Sequence, residues 1–489
     1  MKLKVKLLRW SAGLPVAMLH EETAEELGVY IRDRISLRTP SKETFTIVEI
    51  LGSLIKKNEI VVSSEISSNL NLKSGQKIDV NFAPSPKSLV FIKKKLNKEV
   101  LSKEEIREII KDIVSNSLSD TEIALFVSAM YKFGMNFKET IFLINSILET
   151  GKKLRLKNKF IVDKHCIGGV AGNRTTLIVV PICAAAGLVC PKTSSKSITS
   201  AVGTADVMEA IAKVEFSVGE LKKIIKKTKA FIIWGGSLDL VPADSKIIQV
   251  ERTLNIDPTS QLLASIMSKK LALGSNYILI DIPYGKSAKV GRKRALYLKE
   301  SFEKLGRHFK KKLKCVLTKG NQPIGNSVGP VLEIIDIIKI LERKGGPKDL
   351  EKKSLFLAGE LLEMTKKAKR GEGVKLARKI LDSGKAFEKF KQIVAIQKGS
   401  LNNLVLAKFK KDLLAKRDAK VVEIDNKKIN SLAKIAGCPI DKSAGLYLHF
   451  HVGNRVKKGD KVLTIYSETK SRLRQANLFY KKEKPIKFR

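Results

Sequence analysis

Residues 163–209 read DKHCIGGVAGNRTTLIVVPICAAAGLVCPKTSSKSITSAVGTADVME, and that order of residue types leaves few folds open. A short strand-like run (160–162) enters a glycine-bearing loop, Lys164-His165-Cys166-Ile167-Gly168-Gly169. A further loop ends at Asn173, a good N-cap residue, and an apolar helix is expected from there to Gly187, a residue suited to close it. A second short strand (188–190) leads into residues 194–204, six of which are Ser or Thr, and a helix is expected from Ala205. Such a β-loop-α-β-loop-α unit is parallel, so both loops leave the same carboxyl edge of one sheet. Loops rich in backbone N–H groups, hydroxyls and a lysine can cradle phosphate oxygens. Neither matches the P-loop or the dinucleotide fingerprint. Taken alone, the loops therefore leave anion binding and plain chain reversal both open.

The rest of the chain adds domains around this unit. At 489 residues it is long enough for two to four cores. Residues 1–86 read as a small β-rich barrel, with strands at 2–8, 44–50, 59–63 and 77–82 and one helix at 21–27. The prolines of Ala83-Pro84-Ser85-Pro86 then mark a linker. Residues 87–156 turn helical, with capping boxes at Ser102/Glu105 and Ser119/Glu122. From 157 to 398 strands (160–163, 188–191, 230–234, 276–282, 313–318) alternate with helices, the pattern of an α/β sheet. Residues 242–273 interrupt it with two successive helical segments. Residues 399–489 return to short strands in an α+β domain. The expected fold class is thus multidomain α/β: N-terminal barrel, helical lobe, central α/β lobe and C-terminal β-rich hybrid barrel.

Composition narrows the function. Lys and Arg number 93 against 49 Asp and Glu, a formal net charge of +44. A nucleic-acid binder is the sharp reading of that excess, but the charge is spread along the chain and aromatic residues are only 6%, so stacking platforms are scarce. The longest apolar run, 177–190, contains a proline and is shorter than the ~20 residues that span a bilayer. The N-terminus alternates like a strand and lacks a signal-peptide core, so the expectation is a cytoplasmic protein without a membrane partner. Cys166, Cys183, Cys190, Cys315 and Cys438 are scattered and form no C-x-x-C pair, which argues against disulfides and zinc. His449-x-His451 is explained by strand alternation.

The two loops resemble those of the thymidine phosphorylase family, Lys-His-Ser-x-Gly-Gly and Ser-x-(Arg/Lys)-x(7)-Thr-x-Asp-x-x-Glu. They stand here as Lys164–Gly169 and as the run from Ser194 to Glu209. Within that family the chain is most similar to the archaeal AMP phosphorylase branch, whose TSS(R/K)xITSAxGTAD segment runs here from Thr193 to Asp206. The resemblance covers essentially the whole chain. It implies a helical lobe, discontinuous through 242–273, that closes over the α/β lobe. It also implies a homodimer or larger homo-oligomer.

The implied chemistry is phosphorolysis of a nucleoside 5′-monophosphate, AMP foremost with CMP and UMP as further substrates, to free base and ribose 1,5-bisphosphate. Inorganic phosphate is the co-substrate, and no cofactor or metal is expected. By the resemblance Lys164, Ser194 and Thr204 hold phosphate, and Gly169 allows close backbone approach. Ser195, Lys196, Ser197, Ile198, Thr199 and Ser200 match the substrate run, with Lys196 where the branch often has Arg; Ser265 and Lys289 match further nucleotide contacts. Asp257-Pro258 alone reads as a helix start, but the matching Asp donates the proton to the leaving base, which requires a raised pKa or late proton transfer. Lys269 matches a base-side lysine of the pyrimidine enzymes.

Two departures stand out. Cys166 replaces the usual Ser, weakening a hydroxyl donor to a thiol. Glu251, beside Arg252, replaces the arginine that pyrimidine-specific members aim at a base carbonyl, so a thymidine-type pocket is disfavoured. The rival readings are a pyrimidine nucleoside phosphorylase, a phosphoribosyltransferase of similar fold and a nucleic-acid binder. The segment Val452-Gly-Asn-Arg-Val-Lys-Lys-Gly-Asp460 followed by Glu468-Thr-Lys470 also resembles a lipoyl half-motif, but the family's C-terminal domain shows the same pattern without a cofactor. A packing and assembly role is expected there.

Overall fold

The computed structural model describes residues 1–7, 15–52, 54–154, 156, 158–197, 200–238 and 240–489. They form two units, Met1–Gly151 with Pro242–Ser265, and Lys152–Val241 with Ile266–Arg489.

In the first unit, period-two patterning builds a closed barrel. Strand Lys2–Leu7 exposes Lys2, Lys4 and most of Lys6 while Leu3 and Val5 face the core, as alternation requires. Six strands close in the order Lys2–Leu7, Glu59–Val62, Val16–Leu19, Glu43–Ile50, Arg34–Arg38, Lys77–Phe82. The first strand was expected to reach residue 8, which lies outside the described residues. Helices Lys103–Ser115 and Asp120–Phe133 carry the expected capping boxes, and Asn136 with Glu139 adds a third. Helix Pro242–Leu254 belongs to this unit, and its Lys246 ammonium donates to the Ile113 and Val114 carbonyls at the end of Lys103–Ser115. That contact caps one helix with a side chain from another.

The second unit holds the parallel sheet. Val162–Cys166 and Lys312–Lys319 flank Tyr277–Tyr284, all three parallel. Cys190–Ser194 pairs in parallel with Ala230–Trp234, and the parallel bridge Ile161–Val189 joins this pair to the other three. The carboxyl ends therefore share one edge. The first strand runs to Cys166, further than expected, because pairing with Tyr277–Tyr284 continues through Lys164, His165 and Cys166. The second likewise runs to Ser194. Lys164 and Ser194 thus stand on strands rather than in loops. The following helix spans Thr176–Ala185 with Thr175, not Asn173, in the N-cap position, and Gly187 adopts a left-handed φ of +88° just beyond its end.

The C-terminal segment is joined to this sheet region by pairing and by packing. Strand Ser327–Val328 pairs with Gly445–Leu448 in an antiparallel sheet completed by Lys461–Ser467 and Phe409–Leu414. One apolar cluster runs from Val162 through the buried Thr176–Ala185 helix to Ile486. Lys470 opens the helix Lys470–Glu483 with its ammonium 5.8 Å from the Phe409 ring, so it lies on a helix and not at a hairpin tip where a swinging arm would stand. Among the described residues no helix is long and apolar enough to cross a membrane.

Candidate active site

The first strand end is organised by a buried cation. Lys164 is 2% exposed, and its ammonium donates to Thr175 Oγ1 at 2.6 Å. Burial lowers its pKa to about 8; Cys166 and Asp281 pull it up, and Lys353 and Lys192 push it further down. Asp281 sits across the ladder from Cys166, but its carboxylate is occupied by Lys353 at 2.9 Å and Thr318 at 2.6 Å. The Lys164 charge is therefore matched by no carboxylate of its own among the described residues, which favours an incoming anion. Strand alternation turns Asp163 to the opposite face, where Lys270 at 2.8 Å and Lys192 at 3.4 Å share it. Burial, then Lys270 and Lys192, push the His165 imidazole well below its usual range, so it is neutral.

Beyond Lys164 the chain turns tightly. Gly169 has φ +86°, and a Cβ there would lie 2.5 Å from the Lys289 backbone nitrogen and Cβ. Both facts demand glycine, and they bring Lys289 against the first loop. Cys166 Sγ accepts from Gly168 N–H at 3.4 Å and Asn173 Nδ2 at 3.2 Å. Burial, then Asp281, raises the thiol pKa, so Cys166 stays protonated and is no nucleophile.

The second loop is built differently. Ser194 ends its strand and pairs with Trp234; counting forward from the Ile161–Val189 bridge places it beside Cys166. Residues 195–197 and 200 are half-buried, and Thr204 begins the helix Thr204–Glu209. The Asp206 carboxylate accepts the backbone N–H groups of Ser197 and Gly203, each at 2.7 Å. A Cβ on Gly203 would lie 2.5 Å from the Ser195 carbonyl oxygen, so the loop closes on itself only with glycine there. Lys196 reaches Glu209 at 2.7 Å and lies over the Trp234 ring at 4.6 Å. Ile198 and Thr199, assigned to the substrate run, lie outside the described residues.

Buried polar side chains from distant parts of the chain fix both loops. Arg174 donates to the Asn173 carbonyl in the first and the Val202 carbonyl in the second, and its Nε meets Glu333 of helix Pro330–Leu341 at 2.6 Å. Burial raises the Glu333 pKa to about 7 against the pull of Arg174. Helix Asn426–Ala436 of the C-terminal segment supplies two more ties. Asn426 accepts from Ala171 N–H at 3.1 Å and donates to Ser287 Oγ and the Gly320 carbonyl. Asn430 accepts from Ala201 N–H at 2.8 Å. One helix thus holds the loops that follow four of the sheet strands.

Asp257 and Ser265 lie in the first unit. Asp257 is half-buried on the link between Pro242–Leu254 and Thr259–Ala272. The second helix starts at Thr259, so Asp257 precedes it by two residues rather than capping it directly. Buried Asp244 accepts from Gln261 Nε2 at 3.0 Å and braces that link. Ser265 is buried; Glu251 is buried while Arg252 is exposed, so the inward face of this helix carries a carboxylate.

Comparison with known proteins matches three stretches of the chain. Residues 158–387 match the a/b domain of a glycosyl transferase family, 90–151 its helical bundle domain, and 420–487 the pyrimidine nucleoside phosphorylase C-terminal domain. The AMP phosphorylase of Thermococcus kodakarensis is 42% identical over 492 residues, covering 100% of this chain and 98% of that one. That of Methanococcus vannielii is 41% identical, covering 97% and 95%, and AMP phosphorylase 1 of Archaeoglobus fulgidus is 41% identical, covering 98% and 95%. The chain belongs to the AMP phosphorylase family. Its fold is shared more widely: anthranilate phosphoribosyltransferase from Thermus thermophilus superposes with a TM-score of 0.52 at 19% identity, over 63% of this chain and 99% of that one.

As a member of the AMP phosphorylase family, the chain gathers Lys164, Gly169, Ser194–Ser197, Ser200, Thr204 and Lys289 in one unit, with Asp257 and Ser265 in the other. Sequence reasoning missed Thr175, Arg174, Asn426, Asn430 and the pairing of Lys442 with Glu209. Thr175 was findable, since a hydroxyl beside Asn173 at a helix start is an equally good cap. Asn430 left a fainter mark, a polar residue on the apolar face of INSLAKIA. Among the described residues no three His, Cys, Asp or Glu side chains gather as a metal site requires.

Proposed function

We propose that this chain cleaves nucleoside 5′-monophosphates with inorganic phosphate, converting AMP to adenine and ribose 1,5-bisphosphate, with CMP and UMP as further substrates and no cofactor. The observation that carries this reading is the pair of cationic positions on one unit, buried Lys164 beside Thr175 and half-exposed Lys196 on the second loop. A reaction joining inorganic phosphate to a nucleotide has two phosphate groups to hold. Lys164, Thr175, Ser194 and Thr204 are assigned to inorganic phosphate, and Ser195–Ser200, Ser265 and Lys289 to the nucleotide, Lys196 taking its 5′-phosphate.

In the reaction a phosphate oxygen bonds to C1′ as the bond from C1′ to the base nitrogen breaks. The bonding pair leaves on the base, and Asp257 is the group proposed to pass a proton to it, balanced by the proton that hydrogen phosphate gives up as it forms the ester. Fixed cations and N–H groups hold the nucleophile in line and stabilise the charge that moves. Buried Glu251 stands where pyrimidine-specific members aim an arginine at a base carbonyl, and the loss of that cationic fork favours this reading over a thymidine-type enzyme.

The test is phosphate-dependent base release from AMP, CMP, UMP, adenosine and thymidine, run beside Asp257→Asn. Release from the monophosphates alone, abolished in the variant, is the expected outcome. Release from thymidine instead would move the assignment to the pyrimidine nucleoside enzymes.

A further inference from the structure

One carboxylate at the second loop holds two ammonium groups. Glu209 Oε1 meets Lys196 at 2.7 Å, and Oε2 meets Lys442 at 2.6 Å. Lys442 comes from the C-terminal segment, 233 residues away in sequence, on the turn after helix Asn426–Ala436. Its backbone carbonyl accepts from Val331 N–H at 3.1 Å, so the turn is anchored independently of its side chain. All three side chains remain about 30% exposed (31, 32 and 30%). Burial would raise the Glu209 pKa, but Lys196 and Lys442 more than offset it and hold the group ionised.

This arrangement is a poor strut and a good anion site. Ion pairs this open to solvent add little stability. Within the triad two cations face one carboxylate, so one positive charge there is left for an anion to balance. Each ammonium addresses a different oxygen of Glu209, and two oxygens of a phosphate are spaced much as those of a carboxylate are. A phosphate monoester dianion could take the place of Glu209 and balance both lysines. Glu209 can turn to water, since it is not enclosed.

We propose that Lys442 is a nucleotide-binding residue that grips the 5′-phosphate together with Lys196, Glu209 holding both lysines in place until substrate displaces it. This rests on the function proposed above and extends it to the C-terminal segment. A nucleoside lacking the 5′-phosphate has nothing to displace Glu209, so the triad would select monophosphates.

The test compares wild type with Lys442→Met, which keeps the stem and removes the charge, and with Lys442→Arg. The expected result is a rise of about tenfold or more in KM for AMP in Lys442→Met, with KM for phosphate within about twofold, and substantial recovery in Lys442→Arg. Ribose 5-phosphate should lose potency as an inhibitor by the same factor. An unchanged KM for AMP would overturn the proposal. So would equal rises in both KM values, which would mark Lys442 as a tie for the loop only. If wild type released no base from AMP, the function proposed above would fail instead. AMP affinity by calorimetry would then decide, and equal Kd values for wild type and Lys442→Met would overturn the proposal.

Discussion

The two loops leave the same sheet edge, yet they are built on opposite plans. The first is over-determined: Lys164 is buried against Thr175, Gly169 is wedged against Lys289, and Ala171 is held by Asn426. The second is half-exposed over Ser194–Ser197, shaped by Asp206 and tied only further along, at Ala201 and Val202, by Asn430 and Arg174, and its lysine is held by a partly exposed ion pair. A small invariant ion suits a fixed site, because positioning and desolvation can be settled in advance. A larger substrate that must enter and leave suits a looser one. The difference fits the proposal made above, in which Lys164 and Thr175, with Ser194 and Thr204 at the ends of the second loop, serve inorganic phosphate and Ser195–Ser200 between them serve the nucleotide.

Arg174 is where the contrast is easiest to break, since it touches both loops and is held by Glu333. Arg174→Ala should lower stability by about 1–3 kcal/mol by removing the buried donor to the Asn173 and Val202 carbonyls, while Glu333, already raised to about 7, takes up a proton. It should also cut kcat/KM for both substrates on the order of a hundredfold, because both loops lose register. Thermal unfolding and two-substrate kinetics read the two effects separately. Loss of stability with intact kinetics would show that the loops do not depend on this link.

A smaller effect should come from pH. Lys164 holds its proton below a pKa of about 8 and loses it as pH rises through that value. kcat/KM for phosphate should therefore fall above pH ~8, approaching tenfold per pH unit, with the break moved or abolished in Lys164→Arg. A flat profile to pH 9 would remove Lys164 as the phosphate cation.

The mildest change sharpens the first loop. The Cys166 sulfur already accepts from Gly168 and Asn173, and its thiol is a weak donor. Cys166→Ser should lower KM for phosphate about fivefold, the worth of one ordinary hydrogen bond, and leave KM for AMP alone. A higher KM would mean that the loop is fitted to sulfur.

What the sequence revealed follows the range of each interaction. Capping boxes at Ser102 and Ser119, the paired helices after Pro242 and the order of the two loops depend on neighbours within a few residues, and all were legible. The strand ends were misplaced because pairing with Tyr277–Tyr284, more than a hundred residues on, carries the ladder through Lys164 to Cys166. The ties that position the loops were invisible for the same reason: Asn426 reaches Ala171 across 255 residues and Asn430 reaches Ala201 across 229. The C-terminal segment, expected to serve packing and assembly, also holds the loops through this helix. Cys166 was legible as a departure, but its chemistry needed the burial that keeps it protonated.

The division of labour between the loops is tested most directly by measuring KM for phosphate and KM for AMP in Lys164→Met and Lys196→Met. The expected result is a crossed pattern: Lys164→Met raises the phosphate value on the order of tenfold or more and Lys196→Met raises the AMP value, each with little effect on the other substrate. Both variants raising the same constant would contradict the account, because the two loops would then serve one phosphate rather than two.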